Sequence, residues 1–90
     1  MGMPNIVNLT LTNANTEYSI DLTGISGLAV IQARTAVDVR LALTTGIVAT
    51  PSGTYFTIKS GSSLTIDTNK NTLFFASGTA GAVVEVITQQ

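Results

Sequence analysis

The few side chains in this sequence that could do chemistry occur in patterns that suit structure better than catalysis. The chain has no His and no Cys among its 90 residues, and nucleophilic triads need a base beside Ser or Cys. A Ser–Lys pair is the arrangement that remains, and Lys59-Ser60 is the candidate. Gly61 follows at once and Ser62-Ser63 comes next, which is typical of a solvated turn. The sequence therefore predicts a turn here rather than a nucleophile.

Two pairs of charged residues have spacings that can be tested against known chemistry. Glu17 and Asp21 lie four residues apart on one predicted strand, about 13 Å at a rise of ~3.3 Å per residue. Glycosidase carboxylates stand about 5–9.5 Å apart, so we interpret these two as solubilising charges. Asp38 and Arg40 are two residues apart, about 6.6 Å by the same rise. They either pair with each other or anchor a contact with another subunit, and both alternatives stay open.

Metal and phosphate motifs fail on inspection. Asp67 opens a segment that begins like a calcium-binding loop, D-x-N-x-N. That loop requires Gly at its sixth position and Glu at its twelfth, where this sequence has Thr72 and Gly78. An Asx-rich hairpin turn explains the segment better. The glycines of 77–81 lack the Lys and the helix of a phosphate-binding loop, and we expect no metal and no cofactor.

The overall composition favours contacts with other proteins. Hydrophobic residues make up 44% of the chain and charged residues 10%, with a net charge of −1 and a mean hydropathy of +0.42. The four basic residues are scattered, which disfavours nucleic acid as a partner. The longest clear apolar run, 28–31, is too short to cross a bilayer. A small domain without disulfides is often stabilised by oligomerisation, so we expect part of the apolar surface to face other subunits.

Short runs that alternate apolar and polar residues predict an all-β fold. Eight or so strands recur every 8–12 residues with no helical period. This pattern predicts an antiparallel β-sandwich, jelly-roll-like, or a small barrel, formed by one domain over 1–90 with a loose start at 1–4. The predicted strands cover 5–12, 17–22, 28–34, 37–43, 55–58, 63–67, 73–76 and 82–88, with a short edge strand at 47–50. Turns or breaks are predicted at 13–15, 24–27, 44–46, 51–53, 60–61 and 69–71.

The same alternation predicts which side chains are buried. The odd-numbered residues of 37–43 point one way, so Val39 and Leu41 should be buried while Asp38 faces solvent. Residues 28–34 begin apolar on both faces, which predicts a central strand with two covered faces.

The aromatic residues and the sparse charges give the remaining candidates. Phe56 and Phe75 are predicted to lie in the core, whereas Tyr55 or Phe74 could face a ligand or partner. The candidates for an interface are Arg34, Asp38, Arg40, Tyr55 and Phe74.

Several stretches of the chain resemble small virion proteins of tailed phages and prophages. The most distinctive stretch is 31–41, Ile-Gln-Ala-Arg-Thr-Ala-Val-Asp-Val-Arg-Leu. The other stretches, in order along the chain, are 16–19, 54–61, 71–77 and 82–86. The resemblance implies a β-sandwich protein that is bound to the phage particle and decorates or cements its capsid, and the family offers no catalytic motif to carry over.

We therefore expect a non-enzymatic structural protein of the virion, made in the host cytoplasm and located on the capsid surface. Its expected partners are further copies of itself and the major capsid protein or another virion protein, with no nucleic acid and no membrane. A homotrimer is expected from the resemblance and from the three-fold axes of an icosahedral shell. The alternative is a carbohydrate- or cell-surface-binding module of a tail or fibre. Such modules stack sugars on exposed aromatic residues, and this chain has no Trp.

Overall fold

Eight strands form two antiparallel sheets in this computed structural model, which describes residues 5–24, 27–50, 52–68 and 71–89. The strands are β1 (Asn5–Leu11), β2 (Tyr18–Asp21), β3 (Leu28–Ala33), β4 (Val39–Ala42), β5 (Phe56–Ile58), β6 (Ser63–Asp67), β7 (Thr72–Ala76) and β8 (Ala82–Gln89). Sheet A has the order β1-β8-β3-β6, and sheet B has the order β2-β7-β4-β5. The predicted all-β sandwich is therefore confirmed.

The strand order is that of a jelly roll. Among the described strands, β4 and β5 are the one consecutive pair that lies side by side, and every other connection crosses from one sheet to the other. The two sheets are separate, which rules out the small barrel. Residues 67–72 join sheet A to sheet B, so the hairpin predicted there is wrong, although 69 and 70 lie outside the described residues.

One hydrophobic core fills the space between the sheets. The alternation predicted on β4 is confirmed, because Val39 and Leu41 are 1% and 5% exposed and Asp38 is exposed. Phe75 is fully buried, as predicted. The other buried members come from both sheets and are Leu11, Ile20, Leu22, Ala29, Ile31, Ile58, Leu73, Ala82, Val84 and Val86.

A second, smaller cluster lies on the outer face of sheet B. Ala42 and Ala76 point away from the main core and leave room for a loop above them. Val48 fills this room and is fully buried against both alanines, with Phe74 partly buried beside it. Residues 47–50 form turns here, so the edge strand predicted for them is wrong. Their apolar character reflects packing on top of a sheet rather than pairing within one.

Two further burial predictions, those for Phe56 and for both faces of β3, are wrong, and Leu43 does not share the buried face of β4. Leu43 is 60% exposed because β4 ends at Ala42 and the alternation ends with it. Phe56 pairs with Leu41 and faces the same side, yet it is 54% exposed because it begins a three-residue edge strand. Leu28 is exposed on the outer face of sheet A, which the described residues do not cover, so β3 has one covered face rather than two.

The turns predicted at 13–15, 44–46 and 60–61 are confirmed. Asn15 adopts a left-handed backbone with a φ of 52°, which Asn tolerates better than most residues. The predicted loose start at 1–4 lies outside the described residues, and the predicted breaks at 24–27, 51–53 and 69–71 lie partly outside them. The described part of the chain has no helix that is long and apolar enough to cross a membrane.

Two leucines separated by one residue provide a test of this packing. Leu41→Ala should lower the free energy of unfolding by about 2–5 kcal/mol, because it leaves a cavity in the main core. Leu43→Ala removes the same atoms from an exposed side chain and should cost less than about 1 kcal/mol. Urea unfolding of both variants measures the difference, and equal losses would contradict the placement of the two residues.

Candidate functional site

An apolar groove opens between the free edges of the two sheets, where β5 of sheet B and β6 of sheet A end the sandwich. Its volume is about 740 Å³, within the range of about 300–1,000 Å³ that is usual for binding pockets. The lining residues are Leu41, Ala42, Leu43, Thr44, Ile47, Thr54, Tyr55, Phe56, Leu64 and Ile66. None of these lining residues is charged, in a chain that has nine charged residues.

The short length of β5 explains the groove. This strand has three residues and covers little of β6, which has five. Leu64 and Ile66 of β6 point towards the core. Because β5 is too short to cover them, they are only partly buried. Phe56 and Tyr55, which is 40% exposed, form the opposite wall.

The chemistry of the groove suits the burial of apolar groups. Its side-chain polar atoms are the hydroxyl groups of Thr44, Thr54 and Tyr55. General acid–base catalysis needs a titratable group positioned near the reacting atoms, and the lining offers only the phenol. The groove can bury apolar side chains from another surface and form a few hydrogen bonds at its rim.

A second apolar surface lies on the outer face of sheet A. Ile6 on β1, Ile87 on β8 and Val30 on β3 occupy one row across the sheet. Ile6 is 67% exposed, and Leu28 is exposed further along β3. We call Ile6, Ile87, Val30 and Leu28 the outer apolar patch. An apolar signal was visible in the sequence, since Ile6-Val7 and Val86-Ile87 break the strict alternation that a half-buried strand would show.

A charged cluster borders the outer apolar patch. Arg34 Nε donates a hydrogen bond to Glu85 Oε2 at 2.8 Å, and Gln32 Nε2 donates to Glu85 Oε1 at 3.0 Å. The bond from Arg34, followed by the bond from Gln32, holds the pKa of Glu85 below its ordinary value. Arg34, a predicted interface residue, is therefore engaged within the molecule.

The other predicted interface residues do not form one patch with Arg34. Asp38 accepts a hydrogen bond from the Ser60 amide at 2.8 Å and lies 3.8 Å from Lys59 Nζ. Arg40 Nη2 donates to Asn15 Oδ1 at 2.7 Å, while its buried Nε has no partner. Asp38 and Arg40 thus take different partners, and the alternative in which they pair with each other is wrong. Tyr55 lines the groove, and Phe74 packs against the cluster around Val48.

Two acidic residues interpreted as solubilising charges also have structural partners. Glu17 accepts hydrogen bonds from Thr45 Oγ1 at 2.6 Å and from the Gly46 amide at 2.8 Å. These bonds fasten the β4–β5 loop beside β2. Asp21 accepts bonds from the hydroxyl and the amide of Thr23, which lower the pKa of Asp21.

The Lys59-Ser60 segment is a turn, as predicted. Gly61 has a φ of +80°, and the Ser62 amide donates to the Lys59 carbonyl at 2.9 Å. Lys59 lies near Asp38 at 3.8 Å and is largely exposed. The arrangement closes the connection between β5 and β6.

Comparisons with known proteins show similarity in structure rather than in sequence. No family model matches the chain, and no curated protein matches it. A chain from the disulfide-linked pili that form Bacillus endospore appendages is similar, with a TM-score of 0.60 and 17% identity over 99% of this chain and 83% of that one. A de novo designed double-stranded β-helix solved by NMR is similar with a TM-score of 0.54 and 15% identity, covering 98% of this chain and 99% of the design. At these identities the similarity establishes the fold.

The Glu85 cluster predicts a pH dependence. A carboxyl group whose pKa is lowered on folding stabilises the fold above its unfolded pKa, and this contribution is lost as the pH falls through the folded pKa. Glu85→Gln should therefore weaken the loss of stability in acid while leaving the protein folded at pH 7. Thermal unfolding from pH 7 to pH 3 measures this, and an unchanged acid slope would show that the Arg34 contact is not formed in solution.

The groove predicts a binding site for apolar dyes. Phe56→Ser should weaken the binding of a fluorescent hydrophobic dye several-fold, because it removes one wall of the groove. The free energy of unfolding should change by less than about 1 kcal/mol, since the side chain is exposed. Ile87→Ser on the open outer face is the matched control and should alter dye binding less, and the reverse order would contradict this assignment.

Proposed function

We propose that this chain is a non-enzymatic structural protein that acts in many copies on the outside of a larger assembly, and that this assembly is a phage capsid. The observation that carries the proposal is the amount of charge-free apolar surface. The large hydrophobic side chains that are exposed are Ile6, Leu28, Leu43, Tyr55, Phe56 and Ile87. Exposed apolar patches on a small protein mark surfaces that contact other proteins.

The location on a virion rests on the resemblance of 31–41 and the other stretches to small phage virion proteins. The jelly roll is compatible with that location, since viral capsid domains use it, but lectin domains use it too. A fold alone does not define a function. The similarity to a chain from Bacillus endospore pili is compatible with the broader idea of a subunit in an external, assembled structure.

The proposed mechanism is mechanical. Each copy buries part of its apolar surface against neighbouring subunits, and its Thr, Ser and Asn side chains form hydrogen bonds around that contact. A single contact of this kind is weak. Many copies on one particle act together, because each further contact is made at a high effective concentration.

A carbohydrate- or cell-surface-binding module is the second candidate. The specific observation in its favour is the pair of exposed aromatic residues, Tyr55 and Phe56, on one wall of the groove. An aromatic ring with a polar end, such as that of Tyr55, suits a surface that contacts both apolar groups and water. The lining adds only the hydroxyl groups of Thr44 and Thr54, few polar partners for a sugar.

Particles without the protein distinguish the two candidates. A decorating protein predicts that such particles assemble but release DNA at a lower temperature than complete particles, and that purified protein restores the difference. Ile87→Ser should restore less, because it weakens the outer apolar patch, whereas Thr10→Ser, a polar change on the same face, should restore fully.

A sugar-binding module predicts the opposite pattern. The release temperature of the particles would stay unchanged, and their adsorption to host cells would fall. That result would overturn the proposal in favour of the second candidate.

A further inference from the structure

The two edge strands of sheet A lack the usual protection against pairing. The first, β1, runs for seven residues without charge, Pro or Gly, and the second, β6, has Asp67 as its single charged residue. Both pair with their inner neighbours in continuous register, without a bulge. Edge strands that must stay unpaired usually carry Lys, Pro or a bulge, or are covered. Both edges of this sheet are therefore available for another strand.

The core is also incomplete beside these two edges. On the central strands the inward side chains are fully buried, as at Ile31 and Val84. On β1 the inward residues Val7 and Leu9 are only partly buried, and on β6 the same holds for Leu64 and Ile66. A strand added at either edge would cover these side chains.

The strand directions allow one chain to extend another. Neighbouring strands in sheet A are antiparallel throughout, so β1 and β6, three steps apart, run in opposite directions. A second copy placed sideways in the same orientation brings its β1 antiparallel to the first copy's β6. The same reasoning holds for β2 and β5 in sheet B, so one sideways step can extend both sheets.

The two edges of the sandwich, β1 with β2 and β5 with β6, are suited to contact each other rather than a second copy of the same edge. At one side β1 contacts β2 and the sheets are closed together, whereas at the other side the groove separates β5 from β6. Joining two groove sides would leave the space between them unfilled. Joining two closed sides would oppose two acidic residues, Glu17 just before β2 and Asp21 at its end. Lys59, in contrast, follows β5 on the groove side. Contact between unlike sides avoids both problems.

We propose that copies of this chain join side by side, with β1 of one copy pairing with β6 of the next and covering the apolar groove. This inference rests on the proposed function and names the contact between its copies. Main-chain hydrogen bonds would supply affinity, as in other cases of strand addition. The expected register places Asn8 opposite Thr65, so that Leu9 and Val7 lie beside Leu64 and Ile66. Such a contact between unlike surfaces builds rings, including trimers, or open filaments.

Disulfide trapping tests the contact directly, because the natural chain has no Cys. Asn8→Cys and Thr65→Cys lie on the outer face at opposite edges of one sheet, at least about 14 Å apart over three steps of ~4.8 Å. A disulfide needs Cα atoms within about 7 Å, so no bond can form within one copy. Mild oxidation of the double variant should give a ladder of covalent oligomers on a denaturing gel, which ends at the trimer for a three-membered ring and continues to larger species for an open filament. Each single variant should stay monomeric on the same gel.

The outcomes separate this inference from the proposed function. Dimers formed by either single variant would overturn the inference, because they would mean contact between like edges. The absence of a ladder, with both single variants folded, would also overturn it. Binding of the natural protein to depleted particles tests the proposed function separately and can succeed in either case.

Charge variants provide a second readout that does not need oxidation. Asn8→Lys combined with Thr65→Lys places like charges across each contact and should weaken self-association several-fold in light scattering. Asn8→Lys combined with Thr65→Glu places opposite charges there and should retain association. Equal behaviour of these two variants would overturn the pairing of β1 with β6.

Discussion

The structure depends above all on the pairing of β8 with two strands that are distant from it in sequence. β8 lies between β1 and β3, with Val86 opposite both Val7 and Ile31. These pairs hold sheet A together and bring the beginning and end of the described chain into one layer. Val84 and Val86 of the same strand are buried in the main core. Few of the paired strands are consecutive in the sequence. Folding must therefore close long loops, at a cost in chain entropy, before these contacts form.

The central strands complete their part of the core, and the edges do not. β5 is too short to cover β6, which leaves the groove and exposes Phe56. The single carboxylate of Glu17 holds the β4–β5 loop beside β2, and Val48 in that loop covers the two alanines on sheet B. The loop therefore closes one face of the sandwich while the side formed by β5 and β6 remains open. The chemistry of the groove follows from this geometry, because the residues that line it are mostly apolar and none of them is charged.

Alternation in the sequence predicted the strands where a strand has one covered face, as on β4 with Val39 and Leu41. Alternation failed to predict burial where another element of the fold must cover the side chain. Phe56 faces inward as its pattern predicts, but no pattern shows that its strand ends the sheet. Residues 47–50 have the composition of a strand and pack as a loop, because two alanines in distant strands leave space for Val48.

The pairing of strands could not be predicted for a related reason. Short hairpin turns fix register locally, and among the strands that the structure describes only β4 and β5 are both consecutive and adjacent. The groove could not be predicted either, since its lining combines residues from β4, β5, β6 and the β4–β5 loop. For the groove, Tyr55 was a predicted contact residue and does line it. For the outer apolar patch, the break in alternation at Ile6 and Ile87 marked apolar residues on both faces of their strands.

The register of β1 against β8 has a mechanical consequence. Asn5 is opposite Thr88, so the two ends of the described chain leave sheet A at the same place. A force that pulls these ends apart would act first on the pair of Asn5 and Thr88 alone. It would then separate β1 from β8 one residue pair at a time. A force applied across sheet A, from β1 towards β6, would act on each of its ladders as a whole and be shared among all the pairs along that ladder. Tension would be borne better from edge to edge than from terminus to terminus.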